Sequence, residues 1–140
     1  MQDFKTILNY IAKHEPNAKL WPRDKFEKWV QYYFSEGFIC TVLDDNEKLC
    51  GLAMIRPVLT PLDADDQLAM DYEGTCLCIV EVIATAPGAL QALGFAVLKR
   101  FGMRKYVAYH RPPLHKLEVH KASTLRRNLF RSLHHELRRK

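Results

Sequence analysis

The residues best suited to chemistry lie in one stretch near the middle of the chain, where an apolar strand, a small-residue loop and a helix follow one another over 79–96. The start of a helix offers unpaired backbone N–H groups and the positive end of the helix dipole, so it suits a phosphate. Gly94 falls where this helix is expected to start, and a glycine lets a ligand approach the backbone closely. The sub-pattern Gln91-x-x-Gly94-x-Ala96 therefore predicts a phosphate-binding turn.

A second candidate group stands on the strand that precedes this turn. Glu81 is the one carboxylate in the run 75–83, which is otherwise rich in cysteine, leucine, isoleucine and valine. Removal from water disfavours the charged form of a carboxyl group and raises its pKa, which suits a general base. The alternative is that Glu81 faces the edge of the sheet or pairs with a nearby arginine.

Hydrophobic spacing predicts the elements that position these residues. Helical spacing indicates a first helix that is closed by Pro16 and a second that follows Pro22 and ends at Gly37. Strands are expected at 38–43, 49–55, 75–83, 104–109 and 116–120, a third helix at 90–101, and a basic helix from Ser123 to the C-terminus. The stretch 56–74 reads as a long surface loop, and residues 1–140 form a single domain with a strand–helix extension at about 111–140.

This order of elements predicts an α/β (α+β) fold. A right-handed crossover through the 90–101 helix makes strands 75–83 and 104–109 parallel, and the preceding hairpin adds antiparallel neighbours. The result is a mixed, mostly antiparallel sheet flanked by helices. Together with Gln91-x-x-Gly94-x-Ala96, it resembles the GNAT family of acetyl-CoA-dependent N-acetyltransferases over about residues 3–110. The part that follows departs from the family pattern.

The resemblance implies a site for acetyl-CoA as the acyl donor. Its pantetheine arm would pair with the backbone of Ile83, Ala84 and Thr85. The pyrophosphate would be held by the N–H groups of Gln91, Ala92, Leu93, Gly94, Phe95 and Ala96, with help from Arg100. The acceptor, a primary amine on a small molecule or a protein, would attack the thioester directly. Glu81 would act as the base. Tyr109, with Tyr106 and His110 as alternatives, is the nearest substitute for the acid that protonates the leaving thiolate.

The charge of the chain is unevenly distributed. Its net charge is +5, and 104–140 holds eleven lysines and arginines against two glutamates. A basic third of this kind can bind nucleic acid or an anionic cofactor, or it can be a solvated face. The alternative function is therefore a catalytically inactive GNAT-like module that binds nucleic acid through 104–140 or interacts with a protein. A homodimer is also possible.

The remaining composition predicts neither a metal nor a membrane partner. Cys40, Cys50, Cys76 and Cys78 have no zinc-finger spacing and are expected to be buried thiols. The histidines at 110, 115 and 120 match no metal-binding motif. Since the sequence contains neither a membrane-spanning run nor a signal peptide at its start, we expect a cytoplasmic location.

Overall fold

The computed structural model describes residues 2–64, 69–111 and 116–121. This part of the chain forms the helices α1 (Phe4–His14), α2 (Arg23–Ser35) and α3 (Ala89–Phe101) and two short 3-10 helices. Its strands are β1 (Ile39–Leu43), β2 (Leu49–Val58), β3 (Cys76–Ala84), β4 (Tyr106–Arg111) and β5 (Lys116–Lys121). The predicted order of elements is confirmed as far as residue 121, and the basic helix expected from Ser123 lies outside the described residues.

The five strands form one sheet in the order β1-β2-β3-β4-β5. β3 and β4 are parallel, and the other three neighbouring pairs are antiparallel. The parallel pair is the one that the crossover through α3 requires, because a strand that returns in the same direction needs a long connection. The predicted mixed and mostly antiparallel sheet is therefore confirmed.

Helices cover both faces of this sheet. On the first face, which we call the α1/α2 face, Ile11 and Val30 of the helices pack with Leu52 and Met54 of β2. On the second, the α3 face, Leu93 packs with Ala53, Ile55 and Leu77. α3 lies so close to the sheet that a Cβ on Gly51 would stand 3.2 Å from Leu93. The glycine in β2 thus sets the distance between the sheet and the helix expected to bind phosphate.

The second strand is longer than the sequence indicates, because Arg56 and Pro57 belong to it. Pairing of β1 with β2 ends at Met54, and Ile55 donates its N–H to Phe38, so the nitrogen of Pro57 faces the side where β1 has stopped. The lack of an N–H on Pro57 therefore costs the sheet no hydrogen bond between strands. Arg56 is buried and donates to the Tyr33 hydroxyl at 3.2 Å and the Ala64 carbonyl at 2.7 Å, which binds α2 and the following turn to the sheet.

The entry into β3 depends on Gly74. A Cβ at this position would lie 1.9 Å from the carbonyl oxygen of Val58, whereas one at Gly37 would contact nothing within 4 Å. We predict that Gly74→Ala lowers the free energy of unfolding by about 3 kcal/mol or more through the backbone clash. Gly37→Ala should lower it by about 1 kcal/mol, because it strains only a left-handed residue. Urea denaturation measures both values, and an equal loss for the two variants would contradict the packing described for β3.

Candidate functional site

A gap in the sheet is the central feature of the candidate site. Parallel pairing of β3 with β4 runs from Cys76 and Tyr106 to Ile79 and Tyr109 and then stops, although β3 continues to Ala84. At this point the register between β2 and β3 shifts, because Ile55 pairs with Ile79 and Met54 with Glu81. The extra residue, Val80, forms a β-bulge, which bends a strand and increases its twist. The bulge thus coincides with the point where β3 and β4 separate.

The edge of β3 that borders this gap has a defined set of backbone groups. The N–H of Thr85 donates to the Cys50 carbonyl on β2 at 2.8 Å. Since hydrogen-bonded and non-hydrogen-bonded pairs alternate along an antiparallel ladder, Ile83 also faces β2, whereas Val82 and Ala84 face the gap. Of the three residues expected to pair with a ligand, Ile83 and Thr85 thus face β2 and Ala84 faces the gap, and pairing with a ligand there stays a prediction.

The start of α3 lies within one residue of the position expected from the sequence, but Gly94 does not stand at it. The helix begins at Ala89 after Gly88, whose φ of 80° is left-handed and which is therefore the glycine at the helix start. Gly94 stands in the second turn, where helical bonding engages the N–H groups of Leu93 to Ala96. Ala92 donates to Gly88. Leu90 and Gln91 lie in the first turn, where N–H groups have no partner within the helix, and the binding of a phosphate there stays a prediction.

Arg100 lies in the last turn of α3, at the opposite end of the helix from Leu90 and Gln91. Its guanidinium donates to the carbonyl oxygens of Gly37 at 3.0 Å and Ile39 at 2.7 Å. The expectation that Arg100 assists at the phosphates is corrected accordingly, because these contacts direct it to the connection between α2 and β1. Arg104 is similarly engaged, since it donates to the carbonyls of Phe101 and Gly74.

A cavity of about 250 Å³ separates α3 from the sheet beside the gap. Its walls are mainly apolar: Ile79 and Val82 come from β3, Val107 from β4, and Leu90 and Gly94 from α3. The cavity thus connects one rim of the gap with the N-terminal half of α3. This arrangement suits an extended ligand with an apolar portion and an anionic end.

Glu81 projects from the bulge toward the α1/α2 face, since its partner Met54 and the neighbouring Ile83 both belong to the core on that side. Partial burial, together with the Glu15 carboxyl group that hydrogen-bonds to it, raises the pKa of Glu81 from an ordinary value of 4.5 to about 8. Glu15 follows directly after α1. The nearby carboxyl group disfavours the ionised form of Glu81, because two adjacent carboxylates repel when both are ionised.

A second polar contact joins α1 to the end of β3. The hydroxyl groups of Tyr10 and Thr85 lie 3.0 Å apart, and Thr85 also donates to the Cys50 carbonyl at 3.2 Å. The ring of Tyr10 contacts that of His14 with a centroid separation of 4.7 Å. The C-terminal half of α1 therefore provides the polar groups opposite Glu81, and the sequence did not single out any of them.

Tyr109 lies on the other face of the sheet. Ala108 packs in the core with Val58, whereas Val107 lines the α3 cavity, so alternation places Tyr109 on the α3 face. Its hydroxyl lies 3.2 Å from Nε2 of His120 on β5. Glu81 and Tyr109 thus flank the gap from opposite faces of the sheet and do not form one cluster.

Other expectations concern metals, thiols and partners. All four cysteines are buried and none forms a disulfide, so the expectation of buried thiols is confirmed. Within the described ranges no three histidine, cysteine or acidic side chains come together as metal ligands. None of the described helices combines the length and apolar character needed to cross a bilayer. The binding of nucleic acid through 104–140 and a homodimer stay predictions, and most of that basic region lies outside the described residues.

Two solved structures share the arrangement of this chain. The GphF GNAT-like decarboxylase, in complex with isobutyryl-CoA, has a TM-score of 0.53 and 14% sequence identity, and the match covers 76% of this chain and 60% of that one. The loading GNATL domain of CurA from Lyngbya majuscula has a TM-score of 0.51 and 12% identity, with 76% and 59% covered. No protein-family model and no curated protein matches the sequence.

The chain therefore has a GNAT-like fold, which confirms the resemblance drawn from the order of its elements and from Gln91-x-x-Gly94-x-Ala96. It spans about three fifths of the length of the two structures that it matches. One of them was solved in complex with isobutyryl-CoA.

The raised pKa of Glu81 predicts a pH-dependent stability. In the folded chain the carboxyl group of Glu81 keeps its proton until the pH approaches its pKa of about 8, whereas in the unfolded chain it loses the proton near pH 4.5. Between these values the folded state binds the extra proton, so the free energy of unfolding falls as pH rises. We expect the fall to be about 1–2 kcal/mol, less than the full shift implies, because the side chain is partly exposed.

Urea denaturation at a series of pH values tests this prediction. Glu81→Gln should remove the fall between pH 4.5 and 8, because the amide does not titrate. Glu73→Gln, in an exposed turn, is the matched control and should leave the profile of the parent chain unchanged. Superimposable profiles for the parent chain and Glu81→Gln would show that Glu81 is solvated normally.

Proposed function

We propose that this chain binds an acyl-CoA in the gap between β3 and β4 and transfers the acyl group, acetyl in the simplest case, to a primary amine. The observation that carries the proposal is the position of Glu81, an ionisable group with a raised pKa at the bulge where the two strands separate. A general base is most effective when its pKa lies near the working pH. Glu81 meets this condition.

The binding of the donor is supported by three features that line up along α3. Val82 and Ala84 present backbone groups to the gap and can pair with the amides of a pantetheine arm as a strand would. The apolar cavity beside Val82 and Leu90 accommodates the aliphatic parts. The first turn of α3 directs N–H groups and the positive end of its dipole toward the pyrophosphate.

The proposed base and the proposed acid lie on opposite faces of the sheet. Glu81, on the α1/α2 face, takes the proton from the attacking amine as the new C–N bond forms. Tyr109, on the α3 face, gives its hydroxyl proton to the sulfur as the C–S bond breaks. The charges balance, because the proton gained by Glu81 and the one lost by Tyr109 both exchange with water after product release. The acyl carbon would lie in the gap between these two groups.

The acceptor is expected to approach from the side of α1. Glu15 and Glu81 form a carboxyl pair there, and Tyr10 and Thr85 add hydroxyl groups. Such a group favours a ligand that arrives as an ammonium ion, since the cation offsets the repulsion between two carboxylates. The ammonium would release one proton to water before it attacks, and Glu81 would take the second as the C–N bond forms. A cationic primary amine is therefore the acceptor class that this site fits.

Decarboxylation of a 2-carboxyacyl-CoA is the second candidate. One structural neighbour is described as a GNAT-like decarboxylase, and with a pKa of about 8 Glu81 is mostly protonated at neutral pH. As the C–C bond to the carboxylate breaks and CO2 leaves, Glu81 would donate its proton to the α-carbon. Water would then return a proton to the carboxylate of Glu81.

The donor site predicts a charge-sensitive affinity for CoA. CoA should raise the Tm of the parent chain by mass action. Gln91→Glu places a negative charge in the first turn of α3, where it favours the helix but repels a phosphate, and should weaken binding about tenfold, or by about 1.4 kcal/mol. Gln31→Glu makes the same change on the exposed surface of α2 and should bind CoA as the parent does. Calorimetric titration of the three proteins with CoA measures the affinities, and equal values would place the pyrophosphate elsewhere.

The two candidate reactions predict opposite pH dependences because they use opposite protonation states of Glu81. Transfer from acetyl-CoA to hydroxylamine, an amine that is uncharged over the range tested, should accelerate as pH rises toward the pKa of about 8. Decarboxylation of malonyl-CoA should slow over the same range.

Glu81→Gln should lower the rate of the operating reaction about 100-fold or more without weakening CoA binding. The release of free thiol measures the first rate and the release of CO2 measures the second. If Glu81→Gln leaves the rate of a reaction unchanged, Glu81 has no catalytic role in that reaction.

A further inference from the structure

A second cavity, of about 450 Å³, lies beside β1, an outer strand of the described sheet. Lys99 and Arg100 of the last turn of α3 line it together with apolar residues from α1, α2, β1 and α3, which are Ile7, Phe34, Ile39 and Ala96. We call it the edge cavity. No described residue lines both this cavity and the one beside the gap. Its volume falls within the range of small-molecule binding sites.

The guanidinium of Arg100 is held in place within the described structure. It donates to the carbonyl oxygens of Gly37 at 3.0 Å and Ile39 at 2.7 Å. A guanidinium has more N–H donors than these two bonds use, and its planar fork matches the geometry of a carboxylate. Because the side chain is already fixed, it loses less conformational entropy when it binds a ligand.

The side chains that border the edge cavity give it a positive charge. Lys99 and Arg100 are exposed, and among the described residues neither forms an ion pair with a carboxylate. Glu36, which precedes Gly37, accepts a hydrogen bond from the Tyr72 hydroxyl. The C-terminus of α3 adds a partial negative charge of about half a unit, which is smaller than the two positive charges.

Cys40 is a third titratable residue that lines the edge cavity. Burial raises the pKa of its thiol, and the nearby Arg100 offsets only part of this effect. The thiol is therefore neutral near neutral pH. An anion that contacts Lys99 and Arg100 thus meets no negative side chain among the described residues that line the cavity.

We propose that the edge cavity binds a small carboxylate with an apolar chain, whose carboxylate contacts Lys99 and Arg100 and whose chain lies along the apolar walls. A neutral apolar molecule would not use the two cations, and an inorganic anion would not use the apolar walls. Charge and lining therefore select a ligand that combines both parts. This site lies beyond the function proposed above, because it requires neither CoA nor Glu81.

Octanoate is the probe for this site, and methyl NMR of the full-length protein locates it. We expect saturable binding, with nuclear Overhauser contacts from the octanoate chain to the methyl groups of Ile39 and Ala96. Hexanoate should bind about tenfold more weakly, because two fewer methylene groups leave water. Octanamide, which keeps the chain but lacks the charge, should also bind about tenfold more weakly.

Three results of this experiment would overturn the proposal. The first is the absence of binding at millimolar octanoate. The second is a set of contacts to Leu90 and Val107, which would place the ligand in the cavity beside the gap. The third is a concentration-dependent broadening of the Ile39 and Ala96 signals without ligand, which would show that a second copy of the chain occupies the edge cavity.

Charge reversal and filling of the cavity test the two parts of the site separately. Lys99→Glu should weaken octanoate binding about tenfold and leave the affinity for CoA unchanged. Lys25→Glu makes the same change on the exposed surface at the start of α2 and should match the parent. Ala96→Leu should weaken octanoate binding by occupying the cavity. Calorimetric titration measures the affinities, and an octanoate affinity equal to that of the parent in Lys99→Glu or in Ala96→Leu would overturn the proposal.

Discussion

The separation of β3 from β4 is the constraint on which the rest of the molecule depends. A parallel pair twists as it extends, and the bulge at Val80 adds twist where pairing with Tyr109 ends. Backbone groups that would otherwise bond across the sheet are left for a ligand. The cavity under α3 and the two polar groups on either side follow from the same separation. The candidate site is therefore a property of the sheet more than of any one loop.

The faces of the sheet also impose different electrical environments on the two candidate groups. Glu81 meets a second carboxyl group from α1, which disfavours its ionised form and raises its pKa. The Tyr109 hydroxyl lies 3.2 Å from Nε2 of His120, so its polar partner is a ring nitrogen and not a carboxyl group. The two candidate groups therefore have chemically different partners on the two faces of the sheet.

The sequence predicted the order of elements because most of them carry one apolar face with a clear period. It predicted the bounds of α3 within one residue but took Gly94, which matched a motif, as the glycine at the helix start, where the structure has the left-handed Gly88. Glu15 and His120 were missed for a different reason. Each approaches its partner through tertiary contact or strand register, and neither of these is encoded in local spacing. The candidate acid and base groups could therefore be predicted from the sequence, whereas the residues that contact them could not.

The contacts of Arg100 have a consequence for how this protein behaves among its own copies. β1 is an outer strand of the described sheet, and the Ile39 carbonyl that accepts from Arg100 lies along it. An outer strand with unfilled backbone groups invites another chain to pair with it, which is how sheets grow into aggregates. By filling one of these acceptors with a charged side chain, Arg100 makes the edge a poor template. The residue expected at the cofactor thus occupies a backbone acceptor on the outer edge of the sheet.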